Sequence, residues 1–84
     1  MDKATLTADQ NDRFIQLRDR MESQHGPLMS GAALSKALGF QTMSAFRQAH
    51  RREMLLIHVF SINHKKGKYA LTEDVAYWLA GQSK

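Results

Sequence analysis

Between residues 33 and 51 the apolar side chains fall twice on helical spacing, and one glycine separates the two runs. Ala33, Leu34, Ala37 and Leu38 make a compact apolar face, with side chains small enough for another helix to approach closely. Gly39 follows, where a helix C-terminus commonly takes a left-handed residue, and Phe40 plugs the turn. A further helix is expected from Thr42 to about Glu53. Ala45, Phe46 and Ala49 lie on its apolar side, while Ser44, Arg47, Gln48 and Arg51 recur on the other at i, i+3, i+4 and i+7. That polar stripe contains no acid, whereas a helix face merely exposed to water more often mixes both signs. Two short helices joined by a tight Gly-containing turn, the second polar outside, form a helix-turn-helix arrangement.

The rest of the chain supplies what such a pair needs around it. Thr7 and Gln10 have capping-box spacing, and Phe14, Leu17 and Met21 continue at i, i+3 and i+7, so a helix is expected from Thr7 to about Gln24. Gly26-Pro27 ends it. Leu28 and Met29 lead into the next helix, which Ser30 is expected to cap. After the basic helix the pattern changes: "LLIHVFSI" at 55–62 is rich in β-branched and aromatic residues and reads as a strand, "NHKKGK" at 63–68 as a turn, and "YAL" at 69–71 as a return strand. A last helix is expected from Thr72, as its cap, with Glu73 and Asp74 in the first turn, Val75, Trp78 and Leu79 on its apolar face, and Gly81 at its end. Phe40, Phe46, Phe60, Tyr77 and Trp78 are expected in or near the core.

Charge is distributed to match. Of the 12 lysines and arginines in 84 residues, half lie within 41–68 (Arg47, Arg51, Arg52, Lys65, Lys66, Lys68), against Glu53 alone. Such a concentration favours an anionic partner, nucleic acid first among them. With no cysteine, neither disulfides nor thiolate metal sites are available, and His25, His50, His58 and His64 lack close ligand pairing. No metal or cofactor is therefore expected. Ser, His and Asp are present without a nucleophile motif, and Gly31 and Gly39 have local backbone uses rather than forming a phosphate loop, so no enzyme is read here. The start "MDKATLTADQNDRF" does not read as a signal peptide and no run is long enough to span a membrane; a cytoplasmic protein is expected.

The stretch "LMSGAALSKALGFQTMSAFRQAHRREML…HKKGKYALTEDVAYWL" resembles the small winged-helix domains of phage and plasmid excisionases, AlpA-like regulators and the DNA-binding region of MerR-type proteins. The resemblance covers 28–80 and is carried by "LSKALGF" at 34–40, the basic tip with Tyr69, and "LTEDVAYWL" at 71–79, in that order. It implies a mainly α (α+β) winged helix-turn-helix fold with a short β-hairpin wing and, in this chain, an additional N-terminal helix. The expected organisation is an amphipathic helix and linker at 1–27, the winged domain at 28–80 and a tail at 81–84. The implied function is sequence-specific binding of double-stranded DNA, as a small transcriptional regulator or an excisionase-like factor of a mobile element, with the recognition helix at about 42–53 in the major groove and the wing at 63–68 on the backbone or minor groove.

Carried over residue by residue, the start of the recognition helix matches Gln41, Thr42 and Ser44, suited to phosphate or base-edge contacts. The outward arginine matches Arg47, expected to read a guanine edge, with Gln48 beside it for adenine. Arg51 and Arg52 are expected on the DNA backbone, and Lys65, Lys66 and Lys68 match the wing's basic residues, with His64 a marginal addition. The family often ends the recognition helix with Gly, where this chain has Arg52. Residues 1–24 have no counterpart in the pattern, so two arrangements stay open for that helix: packing on its own domain, or a homodimer through it or through the exposed strand. The rival function is a protein-interaction module that turns the same surface to an acidic protein partner, which the long apolar strand at 55–62 and the extra N-terminal helix keep open.

Overall fold

The computed structural model describes residues 6–82; the first five residues of the N-terminal segment and residues 83–84 of the tail lie outside the described residues. The order is α1 (Ala8–His25), β1 (Leu28–Ser30), α2 (Gly31–Ala37), α3 (Met43–Arg51), β2 (Tyr69–Leu71) and α4 (Thr72–Gln82). This is a mainly helical α+β fold with one small antiparallel sheet. Among the described residues no helix is long and apolar enough to cross a membrane.

α1 starts as its sequence dictates. The Gln10 N–H donates to Thr7 Oγ1 and the Thr7 N–H to Gln10 Oε1, each at 3.1 Å, which closes the capping box. Gln10 also reaches across the fold, its Nε2 donating to the Gly81 carbonyl at 3.3 Å. One turn further on, Phe14 meets Tyr77 edge to face with centroids 5.4 Å apart. Such a pair adds about 0.5–1.5 kcal/mol to simple burial. α1 therefore packs on α4 of its own chain, which is one of the two arrangements its amphipathic pattern allowed.

β1 and β2 pair antiparallel, Leu28 opposite Leu71, Met29 opposite Ala70 and Ser30 opposite Tyr69. The central pair faces inward: Met29 and Ala70 are buried with Met21, Leu34, Phe46, Val75 and Ala76 in a single core. Here the sequence expectation needs correcting. Leu28 and Met29 form the partner strand of β2, and the expected strand at 55–62 does not form; only Phe60 bridges Tyr69, through two backbone hydrogen bonds of 2.8 Å. The composition of 55–62 instead expresses alternating burial. Leu55, Ile57 and Val59 pack against the core, while Leu56 and His58 stay outside. That is the half-buried surface β-branched side chains favour, without a ladder partner to make it a strand.

The last helix departs from expectation at both ends. Thr72 is its first residue, not its cap; it is fully buried, and its hydroxyl donates to the Gly26 carbonyl at 2.7 Å while its N–H donates to Pro27 O at 2.9 Å. These bonds tie the start of α4 to the α1–β1 connection. Gly81 lies inside α4, which continues to Gln82, because α1 packs along this final turn and Gln10 holds its carbonyl. The alternating and periodic patterns place Val75 in the core as expected, with Trp78 and Leu79 half-buried beside it.

α2 and α3 both end in Schellman turns. After α2, Gly39 has φ +90° and donates to Lys36 O at 3.0 Å, and Phe40 donates to Ser35 O at 3.0 Å. Phe40 then packs edge-on to Phe46, 5.9 Å between centroids. Ser30, expected to cap α2, stands at the cap position without a side-chain hydrogen bond. It is the last residue of β1, and its exposed side chain leaves the helix start unassisted.

Candidate functional site

The polar stripe that dominates the sequence is set outward by a single buried ring. Thr42 caps α3, its Oγ1 accepting from the Ala45 N–H at 3.0 Å. Phe46 is 1% exposed at the centre of the core, and this fixes the helix rotation. Ser44, Arg47, Gln48 and Arg51 are consequently exposed, as their spacing predicts. Ala45 is exposed as well, correcting its assignment to the apolar side; it lies about 100° around the axis from Phe46, which occupies the middle of the buried arc. The helix ends at Arg51, two residues short of the expected limit, with Arg52 at the C-cap and Glu53 in left-handed backbone at φ +57°. The Glu53 N–H donates to His50 O at 3.1 Å and the Met54 N–H to Ala49 O at 2.9 Å, which completes the turn.

The second basic element is the loop 61–68, closed at its base by the Phe60–Tyr69 bridge. The Lys65 N–H donates to Ile62 O at 3.1 Å across a tight turn in which His64 takes φ +67°. The Tyr69 hydroxyl donates to Lys66 O at 3.0 Å, and Lys68 Nζ donates to Ser61 Oγ at 3.0 Å. These bonds hold a short loop in one shape although only one bridge closes it. Lys65 and Lys66 project from the tip into solvent, whereas Lys68 is half-buried and tethered.

α3 and this loop flank one open cleft of about 660 Å³. Arg47, His50, Arg51 and Glu53 line it from α3 and the end of that helix, Gly67 and Lys68 from the loop; Met43 contributes apolar surface, with Phe46 buried beneath. Three cations thus share the cleft with one carboxylate, and the local field favours an anion. Of the residues singled out in the sequence, the cleft brings together Arg47, Arg51 and Lys68. Ser44 and Gln48 stand exposed on α3 outside it, Gln41 and Thr42 at the exposed start of the helix, Arg52 at its end, and Lys65 and Lys66 at the loop tip. Among the described residues, Arg47, Arg51, Arg52, Lys65 and Lys66 make no hydrogen bond or ion pair through their side chains. His50 was absent from the candidate residues, although its place three residues after Arg47 puts it on the same side of α3.

At the far end of α3 the surface turns apolar. Met54 is 65% and Leu56 80% exposed. Next to them His58 and Phe60 stack with centroids 5.3 Å apart and planes inclined by 21°. Among the described residues no group of three His, Asp or Glu side chains could hold a metal ion. Compared with known protein families, with curated proteins and with solved structures, the chain matches none.

Proposed function

We propose that this protein binds double-stranded DNA as a winged helix-turn-helix protein, with α2 and α3 as the helical pair and the loop 61–68 as the wing. The observation that carries the reading is the shared cleft: arginines of α3 and Lys68 of the loop line one opening, so basic groups far apart in the chain act on the same anionic surface. α3 offers an exposed face without an acid from Ser44 to Arg51, and its cations have no internal partner to exchange for a phosphate. In this arrangement α3 enters the major groove and Lys65 and Lys66 reach the backbone or adjacent minor groove. Use as a transcriptional regulator or as an excision factor rests on the resemblance of residues 28–80 alone.

Neutralising phosphates releases counterions, so log K should fall linearly with log salt, by about 0.9 for each phosphate contacted. Fluorescence anisotropy with a labelled random-sequence duplex, titrated from low to high salt, is the direct check. A slope between about −3 and −6 is expected from the six basic residues at 47–68. No binding at low salt would refute the reading. Met54 and Leu56 support a second one, in which an acidic protein segment docks on the cations and covers these exposed apolar side chains. Binding of an acidic partner that a DNA duplex does not displace would favour it.

A further inference from the structure

On the DNA-binding reading, we propose that α3 divides its work between two stripes: Ser44 and Gln48 read base edges, while Arg47, with Arg51 and Lys68, holds a backbone phosphate in the cleft. The sequence alone makes Arg47 the natural base reader. The structure places it elsewhere. At about 100° per residue, the exposed arc of α3 runs from Arg47 through Arg51, Ser44 and Gln48 to Ala45. Ser44 and Gln48 straddle the middle of that arc, about 40° apart, and Arg47 lies at its edge, about 80° from its centre. A helix lying in a groove turns the middle of its exposed arc to the bases and its flanks to the two backbones.

Two features of the cleft fit its flank to a phosphate. Arg47 and Lys68 line the same opening, and Lys68 is already held by Ser61 at 3.0 Å, so its ammonium is positioned before any ligand arrives. Met43, half-buried, lines the same cleft and gives the sugar an apolar surface to lie against. The cleft's charges are Arg47, Arg51 and Lys68 against Glu53, with His50 also lining it, so the cleft's fixed charge is positive. Gln48 lies outside the cleft, and its amide can both donate to and accept from one base.

The test is selection from a randomised duplex pool with the wild type, Arg47→Ala, Arg47→Lys and Gln48→Ala, followed by salt titrations on the selected duplex and on a scrambled one. Arg47→Ala should recover the wild-type sequence preference, weaken both duplexes by the same factor, and flatten the salt slope by about 0.9. Arg47→Lys, which keeps the charge but loses the guanidinium fork, should restore the slope. Gln48→Ala should keep the slope and lose preference at one or two base pairs. A changed preference with Arg47→Ala, or an unchanged one with Gln48→Ala, overturns the division while leaving DNA binding intact. Wild-type binding without enrichment of any sequence overturns the base-reading half, and absence of wild-type binding overturns the DNA reading itself.

Discussion

Glu53 and Gly39 occupy the same position in two successive Schellman turns, and only one of them suits it. Left-handed backbone costs a residue with a Cβ roughly 1–2 kcal/mol, a cost glycine escapes. Glu53 at φ +57° carries that strain at the end of α3. Replacing it should therefore help: Glu53→Gly is expected to raise stability by about 1 kcal/mol in urea unfolding, and a loss of stability would contradict the strain argument. Because Glu53 also lines the cleft, on the DNA-binding reading the same change should strengthen binding to a duplex at low salt. Helical spacing extends to about Glu53 and the expected Gly position falls at Arg52, but the left-handed residue comes one place later. Boundaries of this kind depend on where Phe46 sets the helix rotation, which is a property of the packed core rather than of local spacing.

At the scale of elements, the segment 54–60 separates composition from structure. Its β-branched and aromatic residues fit a half-buried surface, and Leu55, Ile57 and Val59 bury accordingly, but only Phe60 pairs with β2, through the edge of Tyr69 that faces away from β1. Pairing between residues more than forty positions apart is invisible to a window of neighbours, which is why Leu28 and Met29 read only as a lead into α2. Alternating burial predicts unequal mutational costs. Ile57→Ala should destabilise by about 1–2 kcal/mol, while Leu56→Ala, at a side chain 80% exposed, should change stability by less than about 0.5 kcal/mol. Equal costs in thermal or urea unfolding would contradict the packing described.

The loop 61–68 was legible where chemistry is local. Its basic tip and the turn at 63–68 follow from "NHKKGK", and Lys65 and Lys66 are exposed as expected. The tethering of Lys68 to Ser61 was not legible, since it requires the chain to close through Phe60 and Tyr69. On the DNA-binding reading, changing Lys65 and Lys66 together to Ala should weaken binding to every duplex alike and flatten the salt slope by about 1–2, as anisotropy would read it. An unchanged slope would remove the loop from the contact surface.

For the molecule as a whole, small size makes α1 part of the domain. A chain of 84 residues buries only about 60–65% of the surface its unfolded form exposes, and its total stability is expected near 4–13 kcal/mol. Here α1 adds Met21 to the core and sets Phe14 against Tyr77. Phe14→Ala should cost about 2–3 kcal/mol, less than a fully buried phenylalanine because the ring is half-exposed, and a neutral effect would mean that α1 does not stabilise the fold. By supporting α4, which in turn packs on β2, α1 holds the elements behind the cleft without lining it.

On the DNA-binding reading, the surface formed by α3 and the loop 61–68 contacts the duplex. Its most direct test is a titration of the ¹⁵N-labelled protein with a random-sequence duplex at low salt, followed through the backbone amides. Shifts are expected to concentrate at residues 41–52 and 64–68 and to reverse on adding salt, with the α1–α4 face unmoved. Shifts elsewhere, or none at those residues while the duplex is present in excess, would contradict it.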